Sequence, residues 1–322
     1  MKILIMDKLR AYQKINNSFK KSLVFHFGTG NGFYSEYNNM LLCMLYCLKY
    51  KIRFVLYSKD AYFTFGNGIS EFFIPFCTEV TSNFHHKFNK RDIPFTNETD
   101  LKSKLKQKIA ITNIYLYKLF TGNYITSDFY YEYRTFWFAE TYFDIPELGI
   151  KGNAQTALGQ LAKIIYNFND KYRDDIILYK NKIKLPTSSY VGFHIRGGDK
   201  IIERELISID HYISKMESIT DIRNAFVMTD DYKIYIDLIN KYPNWQFYTL
   251  TKESEQGYNN SSFMKESYES RKNNIIKMFA SIEYLRESKY IVGTYSANPG
   301  MFLGMIEGAK MHGIDYDKWL IL

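Results

Sequence analysis

The 322-residue chain has few cysteines and no long apolar run. Its three cysteines, Cys43, Cys47 and Cys77, cannot all pair internally, and none lies in a Cys-x-x-Cys motif or a metal-ligand spacing. Cys43 and Cys47 stand in an apolar, helix-like segment and are expected to be buried thiols. The first apolar stretch stops at Asp7, too early for a signal peptide, and no run of about 18 apolar residues could span a bilayer. These absences predict a reduced, cytoplasmic protein without a membrane span or a metal site.

The composition is that of an ordinary globular protein with excess positive charge. Hydrophobic residues make up 46% of the chain and charged residues 24%, which argues against disorder. The length favours two domains. The net charge of +8 suits an anionic ligand. Nucleic-acid binding is not expected, because the densest lysine group, Lys102, Lys104, Lys106 and Lys108, is typical of a solvated segment.

The two halves of the chain both show strands alternating with helices, the pattern of parallel sheets. In the first half we predict a strand at 22–27, a glycine-rich loop at 28–32, a helix at 38–50 and a strand at 53–57. The region 95–185 looks mainly helical, with one helix expected within 156–181. In the second half we predict strands at 190–194, 225–228, 246–249 and 290–293, and helices at 209–219, 232–241, 274–288 and 301–311. The polar segment 252–263 is expected to be a mobile loop.

Polar residues follow three of the strands predicted in the second half. The sets are His194, Arg196 and Asp199; Asp230 and Asp231; and Ser296 and Asn298. Parallel strands end at one edge of a sheet, where α/β domains bind ligands, so the pattern favours a binding cleft. The guanidinium of Arg196 suits a phosphate and Asp199 could orient it, although a plain ion pair between these two residues is the alternative.

The motifs together resemble glycosyltransferase family 23, which contains core α-1,6-fucosyltransferases and nodulation fucosyltransferases. The segment from His194 to Lys200 looks like that family's His-x-Arg-Arg-x-Asp-Lys element. Thr229-Asp230-Asp231, followed by Lys241-Tyr242-Pro243-Asn244, and Gly293-Thr294-Tyr295-Ser296 resemble its later motifs. Gly28–Asn39 and Tyr62–Gly66 resemble its N-terminal ones. The similarity covers roughly 22–80 and 186–312.

The resemblance implies a GT-B fold, with two Rossmann-like domains whose parallel sheets face a cleft. Residues 1–185 would form the N-terminal α/β domain, on the acceptor side and with a helical middle region. Residues 186–322 would bind the nucleotide sugar. The implied reaction is an inverting, metal-independent transfer of fucose from GDP-fucose to a hydroxyl of a glycan acceptor. No cofactor besides the donor is implied, and the oligomeric state stays open.

The resemblance also assigns roles to individual residues. Arg196 would stabilise the charge on the leaving phosphate. The family's glutamate aligns with Arg204, which is bracketed by Glu203 and Glu205, so either could be the base. Glu205 is preferred slightly, with Lys200 assisting. The implied donor contacts are His194, Arg196, Gly197, Gly198, Asp199, Asp230, Asp231, Ser296, Ala297, Asn298, Tyr62, Gly30 and Gly32.

Three positions depart from the family pattern. Gly197 stands where the family has a second arginine, and Ala297 stands where it has a second serine. Ser281 aligns with an aspartate that reads guanine in the family, although Glu283 is close in sequence. Another GDP- or UDP-sugar donor therefore stays open, as does a sugar-binding protein that has lost catalysis.

A Rossmann oxidoreductase is a weaker alternative. Gly28, Gly30 and Gly32 follow a strand, but Phe33 occupies the third glycine position of Gly-x-Gly-x-x-Gly.

Overall fold

The structure of the protein is a computed structural model. It describes residues 2–28, 30–66, 68–92, 100–138, 140–186, 189–197 and 207–321. Contacts divide the chain into unit 1, Met1–Asn169, and unit 2, Asp170–Leu322. Each unit has its own parallel sheet, so the predicted α/β class with parallel sheets is confirmed.

Unit 1 is built on a four-stranded sheet in the order β3-β2-β1-β4, with every pair parallel. Its strands are β1 (Ser22–His26), β2 (Arg53–Tyr57), β3 (Thr78–Glu79) and β4 (Tyr124–Ile125), and an antiparallel hairpin is formed by β5 (Tyr142–Ile145) and β6 (Ile150–Asn153). Its helices are α1 (Lys2–Ser18), α2 (Phe33–Tyr50), α3 (Asn83–Phe88), α4 (Leu101–Thr121), α5 (Thr126–Phe138) and α6 (Ala154–Ile165).

The core of unit 1 lies around β1, β2 and α2. Each strand contains a continuous apolar or aromatic run, Leu23-Val24-Phe25 in β1 and Phe54-Val55-Leu56-Tyr57 in β2, as expected for parallel strands that are covered on both faces. Most residues of α2 are buried, including the thiols of Cys43 and Cys47, as predicted. Helix α1 was not predicted. Its Asn16 donates to the carbonyl of Phe54 at 2.9 Å and accepts from the Phe54 N–H at 2.7 Å, which satisfies backbone groups of β2.

Unit 2 contains a five-stranded parallel sheet in the order β11-β10-β7-β8-β9. Its strands are β7 (Val191–Ile195), β8 (Asn224–Thr229), β9 (Gln246–Tyr248), β10 (Ile291–Gly293) and β11 (Met311–Gly313). Its helices are α7 (Asp170–Lys180), α8 (Ile209–Glu217), α9 (Tyr232–Lys241), α10 (Asn260–Lys265), α11 (Tyr268–Glu287) and α12 (Asn298–Glu307).

Strand β7 lies at the centre of this sheet, and all five of its residues are buried. Val191, Phe193 and Ile195 alternate along the strand and belong to one apolar cluster on one face. On the other face Gly192 allows α11 to approach, because a Cβ at this position would lie 2.6 Å from Leu285 Cδ2. The central strand is therefore held from both sides, which fixes the position of the residues that follow it.

Some elements differ from the sequence prediction. The helix expected within 156–181 is two helices, since the chain leaves α6 at Tyr166 and Phe168 pairs with Phe73 before α7 begins. The segment 252–263 contains the start of α10 and forms backbone bonds to residues 230–232. Within the described ranges, no helix has both the length and the hydropathy needed to cross a membrane.

Candidate functional site

The candidate site lies at the carboxyl edge of the unit 2 sheet. The parallel register places His194 of β7 between Met228 of β8 and Gly293 of β10. The polar residues that follow these three strands therefore leave the sheet side by side. This edge is where ligands bind in open α/β sheets.

Asp230 and Tyr258 hold the guanidinium of Arg196. Arg196 Nε lies 3.3 Å from Asp230 Oδ2, and its guanidinium carbon lies 5.0 Å from the Tyr258 ring centroid. The Asp230 carboxylate also accepts from the N–H of Gly197 at 2.7 Å and of Tyr258 at 3.1 Å. An ion pair and a ring contact together restrict the orientation of the guanidinium, which suits it to bind a phosphate.

Asp231 has a different structural role from Asp230. Its side chain accepts from the N–H of Lys233 at 2.9 Å and so caps the start of α9. The two adjacent carboxylates thus point to different partners. The contact of either with a donor stays a prediction.

The segment 255–258 brings Tyr258 to the site. The Gly257 N–H donates to the Asp230 carbonyl at 2.8 Å, and the Tyr232 N–H donates to the Glu255 carbonyl at 2.8 Å. Glu255 is also ion-paired with Lys277 of α11. Sequence analysis missed Tyr258, because nothing in a polar segment indicates which aromatic residue packs on an arginine.

His194 is a buried, neutral group at the centre of the edge. Its side chain is 2% exposed, and its Nδ1 has no hydrogen-bond partner among the described residues. Burial first, and the charge of Arg196 second, lower the pKa of His194 to about 4, against the raising effects of Asp230 and Asp315. A Cβ at Gly300 would lie 3.1 Å from Nδ1 and 2.0 Å from the Thr294 carbonyl, so a glycine is needed there.

The burial of His194 predicts a pH-dependent stability. Its pKa is usually about 6.5 and is about 4 in the folded protein, so the unfolded chain binds the proton more tightly. The neutral His194 therefore contributes to the free energy of unfolding, fully above pH 6.5, and this contribution is lost as the pH falls towards 4. Its size is on the order of 3 kcal/mol. Chemical denaturation across this range should show a steeper loss for the native chain than for His194→Gln.

The exposed His211 of the same unit provides the control for this experiment. His211→Gln should keep the steeper pH dependence of the native chain. If His194→Gln loses stability just as steeply on acidification, then His194 is not held neutral.

The third strand end is ordered by Asp315. Its carboxylate accepts from the N–H of Tyr295 at 2.7 Å and of Ser296 at 2.8 Å. Ala297 is the N-cap residue of α12 and supplies no side-chain cap. Asn298 begins the helix, whose first N–H groups lie at the same edge and favour an anion. Sequence analysis did not identify Asp315.

The side chains near the expected guanine-reading position have partners within unit 2. The Ser281 hydroxyl donates to the carbonyl of Lys277 at 2.9 Å, one turn earlier in α11. The Glu283 carboxylate lies 2.8 Å from Arg286 Nη1. Neither contact distinguishes one nucleotide base from another.

Several predicted site residues lie outside the described residues. These are Gly198, Asp199, Lys200, Glu203 and Glu205. The ion pair considered between Arg196 and Asp199 therefore stays untested, and Asp230 is the partner that the structure shows. The assignment of the catalytic base also stays a prediction.

The predicted residues of unit 1 lie after β1 and β2. Gly30 has φ +107° and Gly32 is the N-cap residue of α2, while Tyr62 is 38% exposed. The buried Glu36 orders this loop by accepting from Asn31 Nδ2 at 3.1 Å. Whether these residues contact a donor stays a prediction.

Unit 1 also contains a histidine–aspartate cluster that sequence analysis missed. Asp60 lies 2.8 Å from His26 Nε2 and 2.6 Å from His86 Nδ1, and His26 Nδ1 lies 2.7 Å from the Asn89 carbonyl. Burial opposes ionisation of Asp60, but the bonds and charge of His26 and the bond from His86 lower its pKa. The sequence does contain a signal for this cluster, because His26 ends β1 and Asp60 follows soon after the end of β2.

A cavity in unit 1 lies at the other edge of its sheet. It has a volume of about 620 Å³, and Tyr124 and Ile52, at the amino ends of the strands, are among its lining residues. It is therefore separate from the loops that carry Gly30 and Tyr62.

No protein-family model matches the chain, and no curated protein matches its sequence. Solved structures match it by fold. One is NodZ alpha-1,6-fucosyltransferase co-crystallized with GDP, with a TM-score of 0.50 and 11% identity, covering 88% of this chain and 91% of that one. Another is a mutant of Arabidopsis thaliana FUT1 in complex with GDP, with a TM-score of 0.50 and 9% identity, covering 95% and 78%. At these identities the likeness shows the fold, and it confirms the GT-B-like α/β prediction.

Proposed function

We propose that this chain is an inverting, metal-independent glycosyltransferase that transfers fucose from GDP-fucose to a hydroxyl group of a glycan. The fold likeness to fucosyltransferases solved with GDP supports this at the level of architecture. The observation that carries the proposal is the guanidinium of Arg196, held by Asp230 and Tyr258 beside the central strand end of unit 2.

The chemistry follows from the charges that develop during transfer. An acceptor oxygen attacks the anomeric carbon from the side opposite the leaving phosphate, so the configuration inverts. The bond to the phosphate breaks and GDP leaves with the electron pair. Arg196 and the first N–H groups of α12 stabilise the negative charge on the phosphate. The buried His194 is neutral and adds no charge beside Arg196.

The acceptor hydroxyl must lose a proton in the same step. Glu205, or alternatively Glu203, accepts it, with Lys200 assisting. This assignment rests on the sequence resemblance alone.

A different nucleotide sugar is the second candidate donor. It is favoured by the sequence at position 281, where serine aligns with the aspartate by which the family reads guanine. The remaining phosphate and sugar chemistry would be unchanged.

Product analysis tests the proposal. The purified chain is incubated with GDP-fucose, or in parallel with UDP-sugars, and a panel of oligosaccharides, with and without EDTA. Nucleotide release and the anomeric NMR signal of the product are recorded. We expect GDP release that depends on acceptor and a product inverted relative to the donor. Retained configuration, loss of activity in EDTA, or turnover with UDP-sugars only would contradict the corresponding part of the proposal.

Asp230→Asn should lower transfer about ten- to a hundredfold. The change removes the charge that pairs with Arg196, and it weakens the hydrogen bonds from the Gly197 and Tyr258 N–H groups. Hydrogen bonds to charged groups contribute about 1.5–3 kcal/mol. The Asp230 carboxylate contacts the Arg196 guanidinium and the N–H groups of Gly197 and Tyr258. The substitution should therefore free the guanidinium to reorient while β8 stays in place. Initial rates measured against donor concentration check this.

Asp237→Asn is the matched control. Asp237 is exposed on α9 and is not one of the predicted donor contacts, so the same substitution there should change the rate by no more than about twofold. Equal losses in the two variants would show that Asp230 has no special role.

A further inference from the structure

Helix α4 exposes an unusual number of large apolar side chains. Leu101 and Phe120, at its two ends, are 87% and 80% exposed. The exposed apolar residues of this helix are Leu101, Leu105, Ile109, Ile111, Tyr115, Leu116, Leu119 and Phe120. An apolar group of this size on one element marks an interaction surface.

Six of these residues form one stripe, which we call the apolar stripe of α4: Leu101, Leu105, Ile109, Leu116, Leu119 and Phe120. At about 100° per residue they fall within roughly 100° of the helix circumference. The buried residues of α4 are Ser103, Ala110 and Ile114. These lie on roughly the opposite side, so the apolar stripe faces away from unit 1.

The helix does not depend on its stripe for stability. Asp100 accepts from the Ser103 N–H at 3.0 Å and caps the start, and Gly122 in the left-handed region ends the helix. The Tyr117 ring stacks on Phe84 of α3 with centroids 4.2 Å apart. The exposed side can therefore be changed without disturbing how α4 is attached.

The charged side chains of α4 are all positive, since its sequence contains no aspartate or glutamate. Lys104 and Lys108 lie on one side of the stripe and Lys102 on the other, and all three are exposed. Two copies of α4 could not form ion pairs with each other, whereas an anionic surface complements these three charges.

We propose that α4 docks on the surface of an anionic phospholipid bilayer, lying in the plane of the interface. The apolar stripe enters the boundary between headgroups and acyl chains, and the lysine stems lie along it with their ammonium groups at the headgroup phosphates. The surface does not depend on the proposed transfer activity.

Vesicle flotation of the full chain tests this, with vesicles of phosphatidylcholine alone or mixed with phosphatidylglycerol. We expect binding to the mixed vesicles, at least tenfold weaker binding to phosphatidylcholine alone, and release in high salt, where screening is strong. The double variant Leu105→Glu, Leu116→Glu should lose the binding. Changing any one of Lys102, Lys104 and Lys108 to glutamine should lower binding about fivefold.

Leu178→Glu is the matched control, because Leu178 on α7 is 64% exposed and Leu105 is 60% exposed. It should bind vesicles like the native chain. The proposal is overturned by absence of binding to the mixed vesicles, or by unchanged binding of the double variant. A dimer seen by light scattering that the double variant abolishes, without lipid binding, would instead assign the stripe to a second copy of this chain. Circular dichroism of each variant verifies that the fold is kept.

Discussion

Arg196→Ala is expected to reduce donor-dependent transfer about a hundred- to a thousandfold while the chain stays folded. The guanidinium is the cation held at the central strand end, and loss of one group that stabilises developing charge costs about 2.7–4 kcal/mol of transition-state stabilisation. Arg196 is 21% exposed and follows β7 rather than forming part of it. Initial rates at saturating donor, together with circular dichroism, measure both parts of the prediction.

Arg223→Ala provides the control for this variant. Arg223 also pairs with a carboxylate, at 3.5 Å from Glu217, and also lies over a ring, at 4.9 Å from the Trp245 centroid. It precedes β8, however, and so lies at the amino edge of the sheet. We expect near-native rates from it. If Arg196→Ala retains most of the activity, the phosphate role of Arg196 is wrong.

Of the two variants Glu203→Gln and Glu205→Gln, one is expected to be nearly inactive and the other close to native. A positioned base contributes about a hundred- to ten-thousandfold, and glutamine keeps the shape of the side chain but cannot accept the proton. We expect Glu205→Gln to be the inactive variant. Rates measured with each variant, alongside GDP binding by calorimetry, check this.

The two glutamates serve as controls for one another, because they are separated by one residue and carry the same charge. The inactive variant should still bind GDP, since the base acts on the acceptor. Normal turnover by both variants would place the base elsewhere.

Sequence patterns predicted the strand ends well, because the signal for a buried parallel strand is local. The run before His194 and the run before Thr229 are continuous and apolar, and each is followed directly by polar residues. Since parallel strands end at one edge, it followed from topology that the residues after β7 lie beside those after β8, although the pairing of Arg196 with Asp230 was not predicted. The divergence of Asp230 and Asp231 followed from their being adjacent.

The partners that orient these groups were not predictable, because they come from distant parts of the chain. Tyr258 reaches Arg196 through backbone bonds between residues 255–258 and 230–232, and Asp315 orders Tyr295 and Ser296 from across twenty residues of sequence. Neither has a local signal. The same holds for the exposed face of α4, since its lysines read as a solvated segment and periodicity alone does not show which side of a helix is buried.

A thermal-shift titration with GDP tests the central claim most directly. A ligand at about a hundred times its dissociation constant adds about 2.7 kcal/mol to the free energy of unfolding, which raises the melting temperature by several degrees. The account predicts this rise with GDP and GDP-fucose, and none with UDP, UDP-sugars or NAD. A rise with UDP compounds instead would contradict the assignment of GDP-fucose as the donor, and a rise with NAD would favour an oxidoreductase. No rise with any nucleotide would contradict the central claim that this chain binds a nucleotide sugar.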